Sequence, residues 1–301
     1  MKRASLPVGL AILLSLSTAA GAQSPAGGWE TVDKIFGRSG KEQPGDVHKF
    51  SWPRSDLHVR IGDVRVEPAL GLGSWAAFKK TGTGQDAMAM GDLVLLGPEV
   101  APVVGALEDG GFEVLAIHNH LLEETPRVMY VHFHGRGDTV AIAKTLKAAL
   151  DRTKTPLGAS SGNTAAGPTA QQEKIFQQIQ DILGRKGSMA GVVLQFGVPR
   201  ADTIQDSGME VPPSMGMATA INFETVEGRV ATTGDFVLIA DEVNPVIREL
   251  RAHGIDATAL HSHMLRETPR LFFLHFWGVG SPEKIAAGLK AALAKVASKT
   301  P

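Results

Sequence analysis

Two stretches of this chain carry the same chemically active residues at the same spacing. Residues 118–135 read HNHLLEETPRVMYVHFHG, and residues 261–278 read HSHMLRETPRLFFLHFWG. Both spell H-x-H-x3-E-x7-H, which gives His118, His120, Glu124 and His132 in the first copy and His261, His263, Glu267 and His275 in the second. Neutral imidazole nitrogens with a carboxylate oxygen suit a divalent transition metal, and the spacing does not choose among Zn, Mn, Fe, Ni and Cu. With an open coordination position, such a site activates water for hydrolysis. Glu124 and Glu267 could then act as general bases rather than ligands. Two non-metal readings use the same residues. One is a His-lined pocket for a small solute. The other is a buried, hydrogen-bonded His layer, with Glu124 and Glu267 paired to Arg127 and Arg270. The copies differ where His134 is replaced by Trp277, so the first has one more possible ligand.

Strands must position these groups. Alternate strand residues share a face, which predicts His118 and His120 on one face with Phe112, Val114 and Ala116, opposite Leu115 and Ile117. In the next strand Val128, Tyr130, His132 and His134 share a face. Cross-strand neighbours lie about 4.5–5.5 Å apart, so His132 approaches His118 or His120, with Glu124 hanging over from the connecting loop.

The motif belongs to a longer internal duplication. GDLVLLGPEV (91–100) matches GDFVLIADEV (234–243), and GFEVLAIHNH (111–120) matches GIDATALHSH (254–263). Upstream, Phe50, Pro53, Arg54 and Asp56 align with Phe196, Pro199, Arg200 and Asp202, and Pro68, Gly71 and Phe78 align with Pro213, Gly216 and Phe223. The expected boundaries are a signal peptide at 1–22, a first repeat at 23–150, a flexible Gly/Ser/Thr/Ala/Pro-rich linker at 151–170 and a second repeat at 171–301. Each repeat opens with a short helix (29–36, 172–183), and a hairpin turns at Glu227-Gly228-Arg229. A helix begins near Glu99 or Glu242 with an early proline. The fold class is α+β: two homologous halves, each a mostly antiparallel sheet with helices on one face. The C-terminal part of each half is ferredoxin-like in its β-α-β-β-α order. The two His-lined faces can meet.

The 301 residues carry a formal net charge of −1, which argues against a nucleic-acid partner. MKR followed by the apolar run 10–16 and Ala20-Gly21-Ala22 reads as a secretory signal, so a periplasmic or secreted product is expected, with no membrane insertion after cleavage. The absence of cysteine excludes thiolate chemistry, iron–sulfur clusters and thiolate zinc sites. No serine sits in an evident Ser/His/Asp context, and no phosphate-binding G-x-G-x-x-G is present. H-x-H-x3-E also opens the cupin metal motif, but helical patterns interrupt the strands where a cupin barrel would continue. Pro-Arg-x-Asp at Arg54 and Arg200 reads as a structural ion pair. The expected partner is an unidentified small molecule.

The duplicated HxH…ETPR…HF blocks, preceded by GDLVLLGPEV and GDFVLIADEV, resemble the LppY/LpqO-type family of secreted bacterial proteins, a duplicated domain of unknown function. The resemblance covers nearly all of the mature chain and implies export and two repeats. The family's named members look like lipoproteins; this chain has no cysteine to carry a lipid, so that anchoring does not transfer.

Overall fold

The computed structural model describes residues 1, 28–82, 84–158 and 167–299. The expected signal peptide beyond Met1 and linker residues 159–166 lie outside them. The first half runs α1 (Glu30–Phe36), β1 (Lys41–Gln43), β2 (Val47–Pro53), β3 (Arg60–Ile61), β4 (Val64–Arg65), α2 (Pro68–Gly71), β5 (Gly73–Lys80), β6 (Asp86–Leu96), α3 (Gly97–Asp109), β7 (Glu113–His118), β8 (Val128–Asp138) and α4 (Thr139–Leu150). The second half repeats this order with one short strand added before its last strand. It runs α5 (Ala170–Leu183), β9 (Ser188–Ala190), β10 (Val193–Pro199), β11 (Gln205–Asp206), β12 (Met209–Glu210) and a 3-10 turn at Pro213–Met215 in the place of α2. It continues with β13 (Ala218–Val226), β14 (Arg229–Leu238), α6 (Ala240–Ala252), β15 (Asp256–His261), β16 (Glu267–Thr268), β17 (Phe272–Gly280) and α7 (Pro282–Leu293).

Each half is an antiparallel six-stranded sheet, ordered β1-β2-β5-β6-β8-β7 and β9-β10-β13-β14-β17-β15. In each, the expected β-α-β-β-α block places its third strand between the first two, as a split β-α-β unit requires. One face is covered by helices. Phe50, Phe78, Phe133 and Leu146 fill that layer in the first half, and Phe196, Phe223, Phe276 and Leu289 fill it in the second. The other faces meet. Met88 and Met90 pack with Met215 and Phe273, while Val94 and Tyr130 share a cluster with Val193. The result is four layers, helix-sheet-sheet-helix, with the site between the two sheets.

Side-chain chemistry sets the element ends. Asp138 accepts from Ala141 N–H at 2.8 Å to start α4, and Thr169 and Gln172 cap α5 reciprocally. Glu99 and Glu242 reach back to Leu96 and Ile239 N–H at 2.8 and 3.0 Å, closing the starts of α3 and α6. The β13–β14 turn places Glu227 and Gly228 at φ 48° and 80°, a conformation suited to a tight two-residue hairpin. The start of the expected flexible linker is tied down, with Lys154 N–H donating to Glu99 at 3.0 Å.

One expectation about faces is corrected. The register between β7 and β8 shifts between Val114 and Ala116. This bulge turns Phe112 and Val114 to the helix side and Leu115 to the inter-sheet side, leaving Ala116 and His118 facing the other half. A bulge adds one residue to one strand and inverts the alternation beyond it. β15 carries the same shift between Ala257 and Ala259.

Candidate metal centre

The rung of paired residues through His132 explains how the site is built. In register across the first sheet stand Ser51, Trp75, Asp92, His132 and Ala116. The second sheet aligns Gly197, Ala220, Asp235, His275 and Ala259. Directly opposed residues project from the same face, so each sheet presents an aspartate beside a histidine to its counterpart. His118 and His261 close β7 and β15, and His120 and His263 follow two residues past the strand ends.

All six predicted histidines converge, and they interleave across the halves. Ring centroids lie 3.7 Å apart for His118 and His261, 3.6 Å for His120 and His275, and 3.7 Å for His132 and His263. His120 is held between His275 and the ring of Tyr130, and His263 between His132 and the ring of Phe273. Four overlapping sets of donor atoms lie within 4.8 Å of one another: His118/His120/His132, His118/His261/His275, His132/His261/His263 and Asp235/His263/His275. Asp92 mirrors Asp235 across the pseudo-twofold, its Oδ2 lying 3.6 Å from His120 Nε2 and 4.0 Å from His132 Nε2. These groups could hold a metal ion.

The hydrogen bonds point the same way. His275 Nδ1–H donates to the Gly234 carbonyl at 3.0 Å, and His132 makes the matching bond to Gly91. That fixes each tautomer with an unprotonated Nε2 turned inward, where that of His275 lies 3.4 Å from His118 Nε2, the arrangement that orients metal-binding histidines. The Nε2 atoms of His120, His132, His261 and His263 are buried with no hydrogen-bond partner among the described residues, as is one oxygen of each aspartate. The Gly-Asp pairs 91–92 and 234–235 therefore supply both a bracing carbonyl and an acid. Only glycine fits before each aspartate: a Cβ would come within 2.3 Å of Trp75 O at Gly91 and 1.9 Å of Ala220 O at Gly234.

Burial and mutual repulsion set the protonation states. Desolvation pulls the His118 imidazole down to about 4 and that of His275 to about 3. It also holds His120, His132, His261 and His263 below their ordinary value, with the neighbouring imidazoles adding to the effect. Burial pushes the Asp92 carboxyl up to about 8 and raises Asp235, which also feels Asp92. Neutral imidazoles are the metal-binding form. A cation in the cluster would draw both aspartates to the ionised form.

Glu124 and Glu267 fall in none of these donor sets. Glu124 Oε1 accepts from Val128 N–H at 3.3 Å and lies 3.9 Å from Arg127; Glu267 Oε1 accepts from Leu271 N–H at 3.0 Å, and its Oε2 pairs with Arg270 at 3.2 Å. The following threonines are tied to neighbouring strands, Thr125 to Arg60 and Thr268 to Gln205. The shared Glu-Thr-Pro-Arg string is thus loop architecture that aims the H-x-H segment, and the carboxylates at the cluster come from Asp92 and Asp235 instead. His134 also stands apart, 3.6 Å from Asp206 and 3.8 Å from Glu113. Arg54 and Arg200 are structural, as the Pro-Arg-x-Asp pattern suggests: each is fully buried, paired with Asp56 or Asp202 and with Glu99 or Glu242.

The aspartates are what the spacing argument missed. Each lies about forty residues before the histidine it opposes, so no local motif contains it. The available signal was an acid at the same place in two apolar strands, GDLVLL and GDFVLI. A cleft of about 760 Å³ leads between the sheets to the cluster and is lined at its floor by Asp92, His120, His132, Asp235, His263 and His275.

No curated protein matches the chain. Among solved structures, a trimeric bacterial microcompartment shell protein, PduB, aligns at 12% identity and TM-score 0.23, covering 86% of this chain and 90% of that one. A fused permuted hexameric shell protein of the RMM microcompartment aligns at 13% identity and TM-score 0.18, covering 71% and 83%. Superposition that poor relates neither the folds nor the functions. The family comparison is of another kind, since one family model matches residues 30–152 and again 177–295, once for each half. The chain therefore belongs to the family described as Domain of Unknown Function (DUF1259), in two tandem copies.

Proposed function

We propose that the protein binds two divalent transition-metal ions in the cluster between its halves and uses them to hydrolyse a small solute that enters by the cleft. The observation that carries this reading is the set of buried, unpartnered Nε2 atoms on His120, His132, His261 and His263. A structural His layer would pair these atoms, because leaving one buried polar group unsatisfied costs about 1–3 kcal/mol. Six imidazoles and two carboxylates are too many donors for one tetrahedral ion and suit two. When bound, such ions supply Lewis acidity and an activated water. An aspartate at the cleft floor that is not used as a ligand can take the proton from that water. Export to the periplasm rests on the N-terminal segment and on the resemblance of the ETPR blocks to LppY/LpqO-type proteins.

The test is elemental analysis of the purified, tag-free mature protein beside a His120→Ala/His263→Ala double variant. About two equivalents in the parent and none in the variant is the expected result. One equivalent would reduce the centre to a single shared ion. None after reconstitution with Zn, Mn, Fe, Ni or Cu would end the metal reading and leave a His-lined solute pocket.

A further inference from the structure

The wall of the cleft above the cluster has a sign. Among the described residues, its charged lining outside the floor is Arg38, Lys41 and Lys49, and the only carboxylates lining it are Asp92 and Asp235 at the bottom. Lys49 is half-buried on the inter-sheet side of β2. Its Nζ donates to the Ser214 carbonyl at 3.2 Å and sits 4.1 Å from the Trp75 ring centroid. Among the described residues it makes no salt bridge. Burial pulls its ammonium down to about 8, as expected for a desolvated cation without a counter-ion. From Asp92, Lys49 lies two strands across and two residues along, about 12 Å by ordinary strand spacing. That is the span of a small organic molecule.

The second half shows that the position does not need a charge. Gln195 occupies the place of Lys49 in the repeat, and its Nε2 donates to the Ala69 carbonyl at 2.8 Å, as Lys49 does to Ser214. Each side chain anchors the Pro-containing turn of the opposite half. A neutral amide performs that task in one half, so the lysine adds a positive charge at the cleft that anchoring does not require.

We infer that the cleft selects an organic oxyanion, a carboxylate or phosphate compound, whose charged group is held by Lys49 with Arg38 and Lys41 at the mouth while the rest of the molecule reaches the His/Asp floor. The inference deepens the metal-hydrolase reading by naming its substrate class, and the basic wall itself stands without the metal.

The experiment is isothermal titration of inorganic phosphate, and separately of acetate, into metal-free and metal-reconstituted protein. The parent is compared with Lys49→Gln and Lys49→Arg. The glutamine variant keeps the anchoring bond that Gln195 makes, so its melting temperature should stay within a few degrees of the parent. Expected is measurable binding to the metal-free parent, weakened at least tenfold in Lys49→Gln and within about threefold of the parent in Lys49→Arg, by analogy with charge-assisted pairs. The oxyanion bound more tightly names the head group. Absence of binding to the metal-free protein, or equal affinity in parent and Lys49→Gln, would overturn the inference. Loss of metal binding with the Lys49 effect intact would instead remove only the metal reading.

Discussion

The two halves agree at the floor of the cleft and disagree along its walls. Both supply three histidines, an aspartate and the glycine before it, and both carry the same buried arginine network. Beyond that floor, Lys49 faces Gln195, Trp75 has its counterpart in Ala220, Tyr130 in Phe273 and His134 in Trp277. Packing alone tolerates any hydrophobic set of suitable volume, so retained polar residues in drifting surroundings mark what the duplicated unit must do. The drifted positions mark what each half does by itself. Under the proposed function, the shared floor would supply the chemistry and the unequal walls the selectivity.

The comparison can be broken most violently at the arginines. Arg54→Met and Arg200→Met each strand two carboxylates against a buried apolar wall, and each should cost about 3–5 kcal/mol in chemical denaturation. Similar losses in the two halves are expected; a loss below about 1 kcal/mol in either would show that its network is not structural. Next come His120→Ala and His263→Ala made singly. Because the rings interleave, each should weaken metal binding by at least about a hundredfold, more than loss of a bracing group does. If only one of the two variants lost affinity, one half would be a degenerate copy.

A smaller effect separates the halves by pH. Glu224 is buried, accepts from Glu67 N–H at 3.1 Å and is pushed up to about 8 by burial, whereas its counterpart in the first half is Lys79. A carboxyl whose pKa is raised in the fold contributes stability in full below its unfolded value. That contribution is lost as pH rises through the folded value. Glu224→Gln should therefore gain on the parent by up to about 1.4 kcal/mol for each pH unit between about 5 and 8. Melting curves at pH 5, 6.5 and 8 check this, and a gap that narrowed as pH rose would contradict it. The smallest change makes the first half resemble the second. Tyr130→Phe removes the hydroxyl that donates to the Gly71 carbonyl at 2.7 Å, at a cost of about 1 kcal/mol, with metal content unchanged.

The repeat made much of this legible. Three histidines per copy at strand spacing, retained while their neighbours changed, were enough to predict a cluster on one sheet face and the meeting of two such faces. Retention within a repeat does not separate ligands from loop braces: Glu124 and Glu267 accept from Val128 and Leu271 N–H and fall outside the donor sets. Asp92 and Asp235 stayed hidden because their proximity to histidine is a matter of strand register between distant segments. The face assigned to Phe112, Val114 and Leu115 in β7 differs from the expected one, since a bulge leaves little mark on sequence periodicity. Lys49 was not singled out at all, and only the opposing turn of the other half gives it meaning.

The interleaving of the six rings has a thermodynamic consequence. Every donor set that contains His118, His261 or His132, apart from His118/His120/His132, draws on both halves. An ion bound there is a cross-link between two units of one chain, and its binding free energy is also docking free energy. By mass action, free metal at a hundred times its dissociation constant would add about 2.7 kcal/mol to the closed arrangement. Scarcity would withdraw the same amount from the contact between the sheets before either core felt it. The ambient metal concentration would then govern how firmly the two halves are docked, and the protein's resistance to proteolysis would rise and fall with it.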